Sequence, residues 1–236
     1  MILALLGSGE YLPQTQPIDQ HLINKLSNRL QRSPNVVCLP TAVGMGRKRR
    51  IRYWSTMGIQ HFTHLGVPVD CVPVLDRASA NNPYFAAKVA AADFVYLSGG
   101  RPDYLYHTLD NSLVWQSIQS VISRGGLLAG CSAGGMVLGE RFFGLPLWRV
   151  GFGLLPNIVV IPHYDIVPFP AVHVVRWCIR NQLTLLGIDS DTALILDEGR
   201  CEVMGRGGVA IWTDSSPQYF EQGVYELGQI RISGYG

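Results

Sequence analysis

The chain has 236 residues, a length within the range of one α/β domain. Apolar residues make up 47% of it and charged residues 15%, a balance that argues against a disordered protein. The formal net charge of +2 is too small to indicate a nucleic-acid or membrane partner. No apolar run approaches the roughly 18 residues that a membrane-spanning helix needs.

The chain begins with a short apolar run, Met1–Leu6, that leads into Gly7-Ser8-Gly9-Glu10. The run lacks the basic segment of a signal peptide, so we interpret it as a buried strand and expect a cytoplasmic protein. The five cysteines show neither metal-ligand spacing nor a paired framework. We therefore expect reduced, mostly buried thiols and no bound metal.

Up to residue 158, short apolar runs alternate with helical patterns. The predicted strands are Ile2–Leu6, Asn35–Leu39, Val69–Val72, Phe94–Leu97 and Leu127–Ala129. The predicted helices are Ile18–Leu30, Lys48–Leu65, Phe85–Ala92 and Ser112–Ser123, with another opening at Ser132–Leu138. This alternation predicts a mostly parallel central sheet with helices on both faces, an α/β three-layer sandwich.

After residue 158 the pattern changes. It predicts a strand at Ile158–Ile161, a long helix at Ala171–Leu186, and short strands at about 193–197, 201–204, 209–212 and 224–232. We expect these last strands to form β-hairpins that extend or flank the sheet. No linker or repeat interrupts the chain, so residues 1–236 are interpreted as one domain.

The segment 130–134 reads Gly-Cys-Ser-Ala-Gly and lies between an apolar strand and an apolar helical stretch. A serine at such a turn sits in strained backbone, so its neighbours must be small. The following helix start directs free N–H groups to the same place. These features predict that Ser132 is a nucleophile on a nucleophile elbow; the alternative is a glycine-rich turn that packs a helix closely on the sheet. Cys131 is one position too early and is expected to be a buried, apolar residue.

Two further strand ends point to the same crevice, because the carboxyl ends of parallel strands converge at one edge of a sheet. Phe94–Leu97 runs into Ser98-Gly99-Gly100, whose backbone can offer an oxyanion an N–H, with the Ala133 N–H as the second donor. The alternative for this loop is an ordinary strand-to-helix turn. His163 follows the strand Ile158–Ile161 and is the best candidate for the general base.

The carboxylate that would orient the base is left open among Asp165, Glu140 and Asp103. The predicted substrate-binding residues are Gly99, Arg101, Glu10 and Arg176. Arg176 shares a helix face with Arg180.

The basic run 47–52 is interpreted as a solvated helix face, with a site for a substrate carboxylate as the alternative. Binding of nucleic acid by this run has little support, because few aromatic residues interleave with it.

The segments Ser98-Gly99-Gly100, 130–135 and Pro162-His163-Tyr164, in this order, resemble the dipeptidase E and cyanophycinase family of serine peptidases. The opening strand with its glycines, and the stretch 186–194 followed by 203–205, resemble the same family. The family's fold is similar to class I glutamine amidotransferase domains, which place a cysteine where this chain has Ser132. The resemblance implies Ser132 as nucleophile, His163 as base, N–H groups of Gly100 and Ala133 as the oxyanion hole, and no metal or organic cofactor.

The chain departs from that pattern at two points. Dipeptidase E carries its triad aspartate in the loop after the nucleophile helix, whereas residues 141–162 here contain no Asp or Glu. Either Glu140 or Asp165 substitutes, or the site works as a dyad. Pro162 also stands where cyanophycinase-like members have a glutamine.

We therefore expect a serine hydrolase of the peptidase type that cleaves a small peptide or isopeptide amide, with an aspartyl bond as one option. An amidase or esterase acting on another small molecule is the first alternative. A non-catalytic binding protein with a degenerate triad is the second. No nucleic-acid or membrane partner is expected, and a homodimer is left open.

Overall fold

The computed structural model describes residues 1–144, 148–178, 183–213, 216–226, 228, 230 and 232. The strands are β1 (Ile2–Leu6), β2 (Val36–Leu39), β3 (Val69–Cys71), β4 (Phe94–Leu97), β5 (Leu127–Cys131), β6 (Arg141–Phe143), β7 (Trp148–Val150), β8 (Ile158–Ile161), β9 (Thr184–Ile188), β10 (Thr192–Asp197), β11 (Arg200–Gly205), β12 (Val209–Trp212), β13 (Gln218–Phe220) and β14 (Gly223–Tyr225). The helices are α1 (Gln16–Leu30), α2 (Lys48–His64), α3 (Arg77–Ala80), α4 (Pro83–Ala90), α5 (Pro102–Leu109), α6 (Leu113–Ser123), α7 (Ala133–Met136) and α8 (Phe169–Cys178). Thr41–Val43 and Tyr164–Ile166 form short 3-10 helices.

The main sheet has eight described strands in the order β14-β11-β10-β1-β5-β4-β2-β3. The strands from β1 to β3 in this order run parallel, which brings the carboxyl ends of β1, β5, β4 and β2 to one edge. The strands β10, β11 and β14 continue the sheet in antiparallel fashion. The parallel part therefore gathers the loops after β1, β4 and β5 around one crevice.

Both faces of the central strands of the main sheet are covered, as fully apolar strands such as β1 and β4 require. Along β1, Leu3 and Leu5 face a core formed with α4, α5 and α6, whereas Ile2, Ala4 and Leu6 face one formed with α1 and α2. Successive side chains of a strand point to opposite faces of the sheet, and helices cover each face, so all of these side chains are buried. The predicted sandwich architecture is confirmed.

A second sheet, in the order β13-β12-β9-β8, carries the strand that leads to His163. One of its faces joins the main core through Ile158, Val160, Leu186 and Ile188. The other face packs against α8 through a smaller cluster that contains Trp212. The expected C-terminal hairpins thus do both things: β10, β11 and β14 extend the main sheet, and β12 and β13 flank it.

Three predicted elements need correction. In place of one helix over Ala171–Leu186, the described part has the helix Phe169–Cys178 and the strand Thr184–Ile188; residues 179–182 lie outside the described part. A short run of Leu and Ile residues is compatible with a buried helix or a buried strand. Here the segment is a strand, because it pairs with β8 on one side and β12 on the other. The helix expected at Ser132–Leu138 is the single turn α7. The strand expected at 224–232 is β14, and several later residues lie outside the described part.

Candidate active site

Ser132 occupies the sharp turn between β5 and α7. Its backbone angles are φ 48° and ψ −111°, a conformation that L-residues rarely adopt. The turn is held by the Ser132 N–H, which donates to the Leu6 carbonyl at 2.9 Å, and by the Met136 N–H, which donates to the Ser132 carbonyl at 2.9 Å. Strain of this kind persists only where the surroundings over-determine it, and it concentrates at functional sites.

The small residues around this turn are required by close packing. A β-carbon on Gly130 would lie 2.5 Å from the backbone carbon of Gly134, so strand and turn meet backbone to backbone. The glycine-rich turn therefore does pack the first turn of α7 tightly on the sheet. This packing accompanies the strained serine and does not replace it as an explanation.

His163 lies against Ser132. The distance between Ser132 Oγ and His163 Nε2 is 3.2 Å, within hydrogen-bond reach, and both residues are half-buried. His163 follows β8 and also has a positive φ, 53°. Two strained residues from strands of different sheets, 31 positions apart in sequence, thus bring a hydroxyl and an imidazole together. This is the geometry that nucleophile activation needs.

The loop after β4 borders the same serine. A β-carbon on Gly99 would lie 3.3 Å from Ser132 Cβ, and one on Gly100 would lie 2.5 Å from the Ala42 carbonyl oxygen. Gly100 has φ 147°, is exposed, and its N–H donates to no other described residue. The same holds for the Ala133 N–H in the described part of the chain. Neither predicted oxyanion donor is therefore engaged by another residue that the structure describes.

None of the three candidate acids reaches His163. Asp165 Oδ1 accepts from the Ser190 N–H at 2.8 Å, and Glu140 Oε2 accepts from the Asn157 N–H at 2.7 Å. Glu140 lies four residues beyond the end of the single turn α7. Among the described residues, Ser132 is the only side chain hydrogen-bonded to His163.

The third candidate acid, Asp103, pairs with Arg101 at 3.0 Å on the surface. Burial alone would raise the pKa of Asp103, but the Arg101 guanidinium and nearby backbone N–H groups hold that pKa below its usual range. Arg101 is exposed and already paired, which leaves it less free for a substrate than the sequence led us to expect.

Glu10 was expected to line the crevice, but its carboxylate points into the protein. The residue is 7% exposed; Oε1 accepts from the Gly99 N–H at 2.8 Å and Oε2 from the Cys131 thiol at 3.0 Å. Cys131 is therefore buried as predicted, yet it is a hydrogen-bond donor and not only an apolar residue. Burial, followed by the neighbouring Glu10 charge, raises the pKa of Cys131 well above its usual value. No local feature of the sequence indicates this contact.

The predicted substrate-binding residue Arg176 forms no hydrogen bond with Ser132 or His163 in the described part of the chain. Arg176 is buried on α8, with its guanidinium 5.1 Å from the centre of the Trp212 ring on the outer face of the second sheet. Arg180 lies outside the described residues. Gly99 does lie beside Ser132, but its N–H is engaged by Glu10.

The basic run at the start of α2 is solvent-exposed, as the solvated-face interpretation requires. None of its side chains forms an ion pair with another residue that the structure describes. The members are Arg47, Lys48, Arg49, Arg50 and Arg52.

Residues 3–204 match the family described as peptidase family S51. The chain belongs to peptidase family S51. This family of serine peptidases is the one that the sequence motifs resemble, so that prediction is confirmed. A solved structure of a peptidase from an acI-B1 Actinobacterium is 34% identical to the S51 chain, with a TM-score of 0.85 and coverage of 96% of both chains.

Cyanophycinases are among the relatives of this S51 chain. The one from Synechococcus elongatus is 30% identical over 164 residues, which cover 64% of this chain and 51% of that protein. The one from Trichormus variabilis is 27% identical and covers 69% of this chain and 57% of that protein. The S51 chain thus spans little more than half the length of these cyanophycinases.

A more distant structure shares the fold alone. It is a protein assigned as a peptidase E from Listeria monocytogenes EGD-e, 18% identical, with a TM-score of 0.63 over 87% of this chain and 98% of that one.

Within the described residues of the S51 chain, no three His, Cys, Asp or Glu side chains are grouped as a metal ion would need. In that same part, no helix has the length and apolar character to cross a membrane.

Proposed function

We propose that the chain hydrolyses small peptide or isopeptide amides through an acyl-enzyme on Ser132. The observation that carries the proposal is the 3.2 Å approach of Ser132 Oγ to His163 Nε2 at a strained strand-to-helix turn. Membership of peptidase family S51 supports the reaction class.

In the first half of the reaction, His163 Nε2 takes the proton of Ser132 Oγ as Oγ attacks the carbonyl carbon. The carbonyl electrons move to the oxygen, and the N–H groups of Gly100 and Ala133 stabilise the charge there. The imidazolium then gives its proton to the leaving nitrogen, and the carbon–nitrogen bond breaks. Ser132 is left as an ester, and an amine departs.

In the second half, His163 removes a proton from water, which attacks the ester carbonyl. The same N–H groups hold the second oxyanion. Collapse of that intermediate breaks the carbon–oxygen bond, returns the proton to Ser132 and releases the acid. One water molecule is consumed for each amide bond that is cleaved.

The site is proposed to work as a dyad. His163 is held through its backbone: the Ile166 N–H donates to the His163 carbonyl at 3.1 Å, and the next residue, Tyr164, accepts from Trp212 Nε1 at 2.9 Å. The bonds from Ile166 and Trp212 thus anchor the segment that carries the imidazole. These contacts support an orienting role for the 3-10 turn in place of a carboxylate.

The proposed substrate is a short peptide or an isopeptide. Bonds formed by aspartyl residues are the first candidates for the cleaved bond. The relatives named cyanophycinase and the resemblance to dipeptidase E favour that class. The arginine sites expected from the sequence lend it no support, because Arg101 is paired with Asp103 and Arg176 packs against Trp212. An amidase or esterase that acts on another small molecule is therefore the second candidate.

A substrate panel tests the proposal. Aspartyl dipeptides, β-aspartyl dipeptides, cyanophycin, other dipeptides and simple esters are incubated with the wild-type protein, Ser132→Ala and the control Ser117→Ala. Ser117 is half-buried on α6, and among the described residues its hydroxyl bonds only the Leu113 carbonyl of the same helix. Cleavage of peptides by the wild type and Ser117→Ala, lost in Ser132→Ala, is expected. Cleavage of esters but of no peptide would favour the second candidate.

A further inference from the structure

The carboxylate of Glu10 joins two loops of the candidate active site. It accepts from the Gly99 N–H at 2.8 Å in the loop after β4, and from the Cys131 thiol at 3.0 Å, one residue before the nucleophile. These contacts span 89 and 121 positions in sequence, and all three residues are buried. Burial of a carboxylate is costly unless hydrogen-bond donors satisfy its oxygens, and here each oxygen accepts one hydrogen bond.

The turn that presents Glu10 is itself firmly held. The Thr15 hydroxyl donates to the Gly9 carbonyl at 2.6 Å, and the Gly7 N–H donates to the Thr192 carbonyl at 2.9 Å. The next residue, Tyr11, has φ 64° and bonds the Ser98 hydroxyl at 2.8 Å. Glu10 and Tyr11 therefore hold two successive residues of the loop after β4.

The contact with Glu10 determines which N–H of that loop remains for a substrate. The Gly99 N–H is directed inward at the carboxylate, whereas Gly100 is an exposed residue whose N–H donates to no other described residue. On the other side, Cys131 lies two residues before Ala133, the second proposed donor. One carboxylate thus connects the segments that carry both oxyanion donors.

We infer that Glu10 is a positioning residue, which fixes the N–H groups of Gly100 and Ala133 relative to Ser132 through its bonds to Gly99 and Cys131. The inference rests on the proposed function. Glu10 acts through Gly99 and Cys131 and does not touch the substrate, because its carboxylate faces the protein interior. For this role the length of the side chain matters more than its charge.

Two variants separate reach from charge. Glu10→Gln keeps the length of the side chain and an oxygen that can accept from Gly99, but loses the charge. Glu10→Asp keeps the charge but is one methylene shorter, so it cannot reach both donors in the same backbone geometry. Glu198→Ala, which changes a glutamate that is 77% exposed at its side chain, is the control.

The rate constant for labelling by a fluorophosphonate is measured, together with the fraction of protein that finally reacts. Glu10→Asp is expected to lose about 10- to 100-fold in rate constant, because shifts near 1 Å in an active site have effects of this size. Glu10→Gln and the control are expected to stay within about threefold of the wild type. A purely structural role would lower the fraction that reacts and leave the rate constant of the folded molecules unchanged.

The inference is overturned if Glu10→Asp reacts at the wild-type rate, or if Glu10→Gln falls as far as Glu10→Asp. If Glu10→Asp does not fold, as judged by circular dichroism, Cys131→Ala carries the same expectation at about three- to tenfold, since it removes one of the two bonds to the Glu10 carboxylate. Cys131→Ala at the wild-type rate would then overturn the inference. A wild-type protein that gains no adduct on Ser132 defeats the proposed function itself, whereas a labelled wild type with unaffected variants defeats only this inference.

Discussion

Gly130→Ala is expected to destabilise the protein strongly, because no space for a methyl group exists between β5 and the turn of α7. The new β-carbon would lie 2.5, 2.6 and 2.7 Å from three backbone atoms of Gly134 and Gly135. Ordinary carbon contacts are about 3.5–4.0 Å, so strand and turn must separate by about 1 Å. Overpacking of a core costs about 1–3 kcal/mol. We expect about 3 kcal/mol, since Gly130 lies in a central strand paired with Leu5 and Leu97 and the obstructing atoms are all backbone.

Gly135→Ala is the matched control in the same turn. Its β-carbon would meet one atom closely, the Gly130 carbonyl oxygen at 3.1 Å, and the next at 3.8 Å. Alanine gains about 1 kcal/mol over glycine in a helix, so this variant is expected within about 1 kcal/mol of the wild type. Urea unfolding followed by circular dichroism gives both values. A Gly130→Ala protein as stable as Gly135→Ala would refute the close-packing argument.

Three further predictions concern the catalytic pair, the reactivity of the thiols and the pH at which acid unfolds the protein. His163→Ala is expected to slow fluorophosphonate labelling by about 10²–10⁴-fold, the usual contribution of a general base, while circular dichroism stays native; a wild-type rate would exclude His163 as base. Cys178 is exposed and should react with a thiol reagent in the folded protein, whereas Cys131, whose pKa burial raises, should react only after denaturation, as peptide mapping would show. Burial opposes ionisation of Asp93, but its bonds to Arg32 and a backbone N–H hold its folded pKa below the ordinary 3.8. The stabilisation is therefore present above that pH and lost as the pH falls through the folded pKa, so Arg32→Met should move acid unfolding to higher pH; an unchanged midpoint would contradict this.

The alternation of apolar runs and helical patterns was sufficient to predict the sandwich, and β4 and β8 fall where it places them. It failed where one pattern suits two structures. Residues 184–188 are apolar enough for a helix or a buried strand, and only pairing with β8 and β12 settles the choice. The edge strands β6, β7 and β13 have three residues each, too few for a periodic signal.

The candidate site shows the same division between local and distant information. Ser132 and His163 each follow a buried strand, and the convergence of strand ends was enough to predict that they meet. The inward contact of Glu10 depends on partners far away in the chain, and no spacing reveals it. The sequence could not show for a related reason that Asp165 and Glu140 do not contact His163. Each accepts from a backbone N–H of another loop, and the positions of those loops are defined only in the folded chain.

The site of covalent labelling tests most directly whether Ser132 is the nucleophile. The folded wild-type protein is treated with a fluorophosphonate, digested and mapped by mass spectrometry, beside Ser132→Ala and Ser117→Ala. One adduct is expected, on Ser132, which is absent in Ser132→Ala and unchanged in Ser117→Ala. No adduct on Ser132 in properly folded protein would contradict this role.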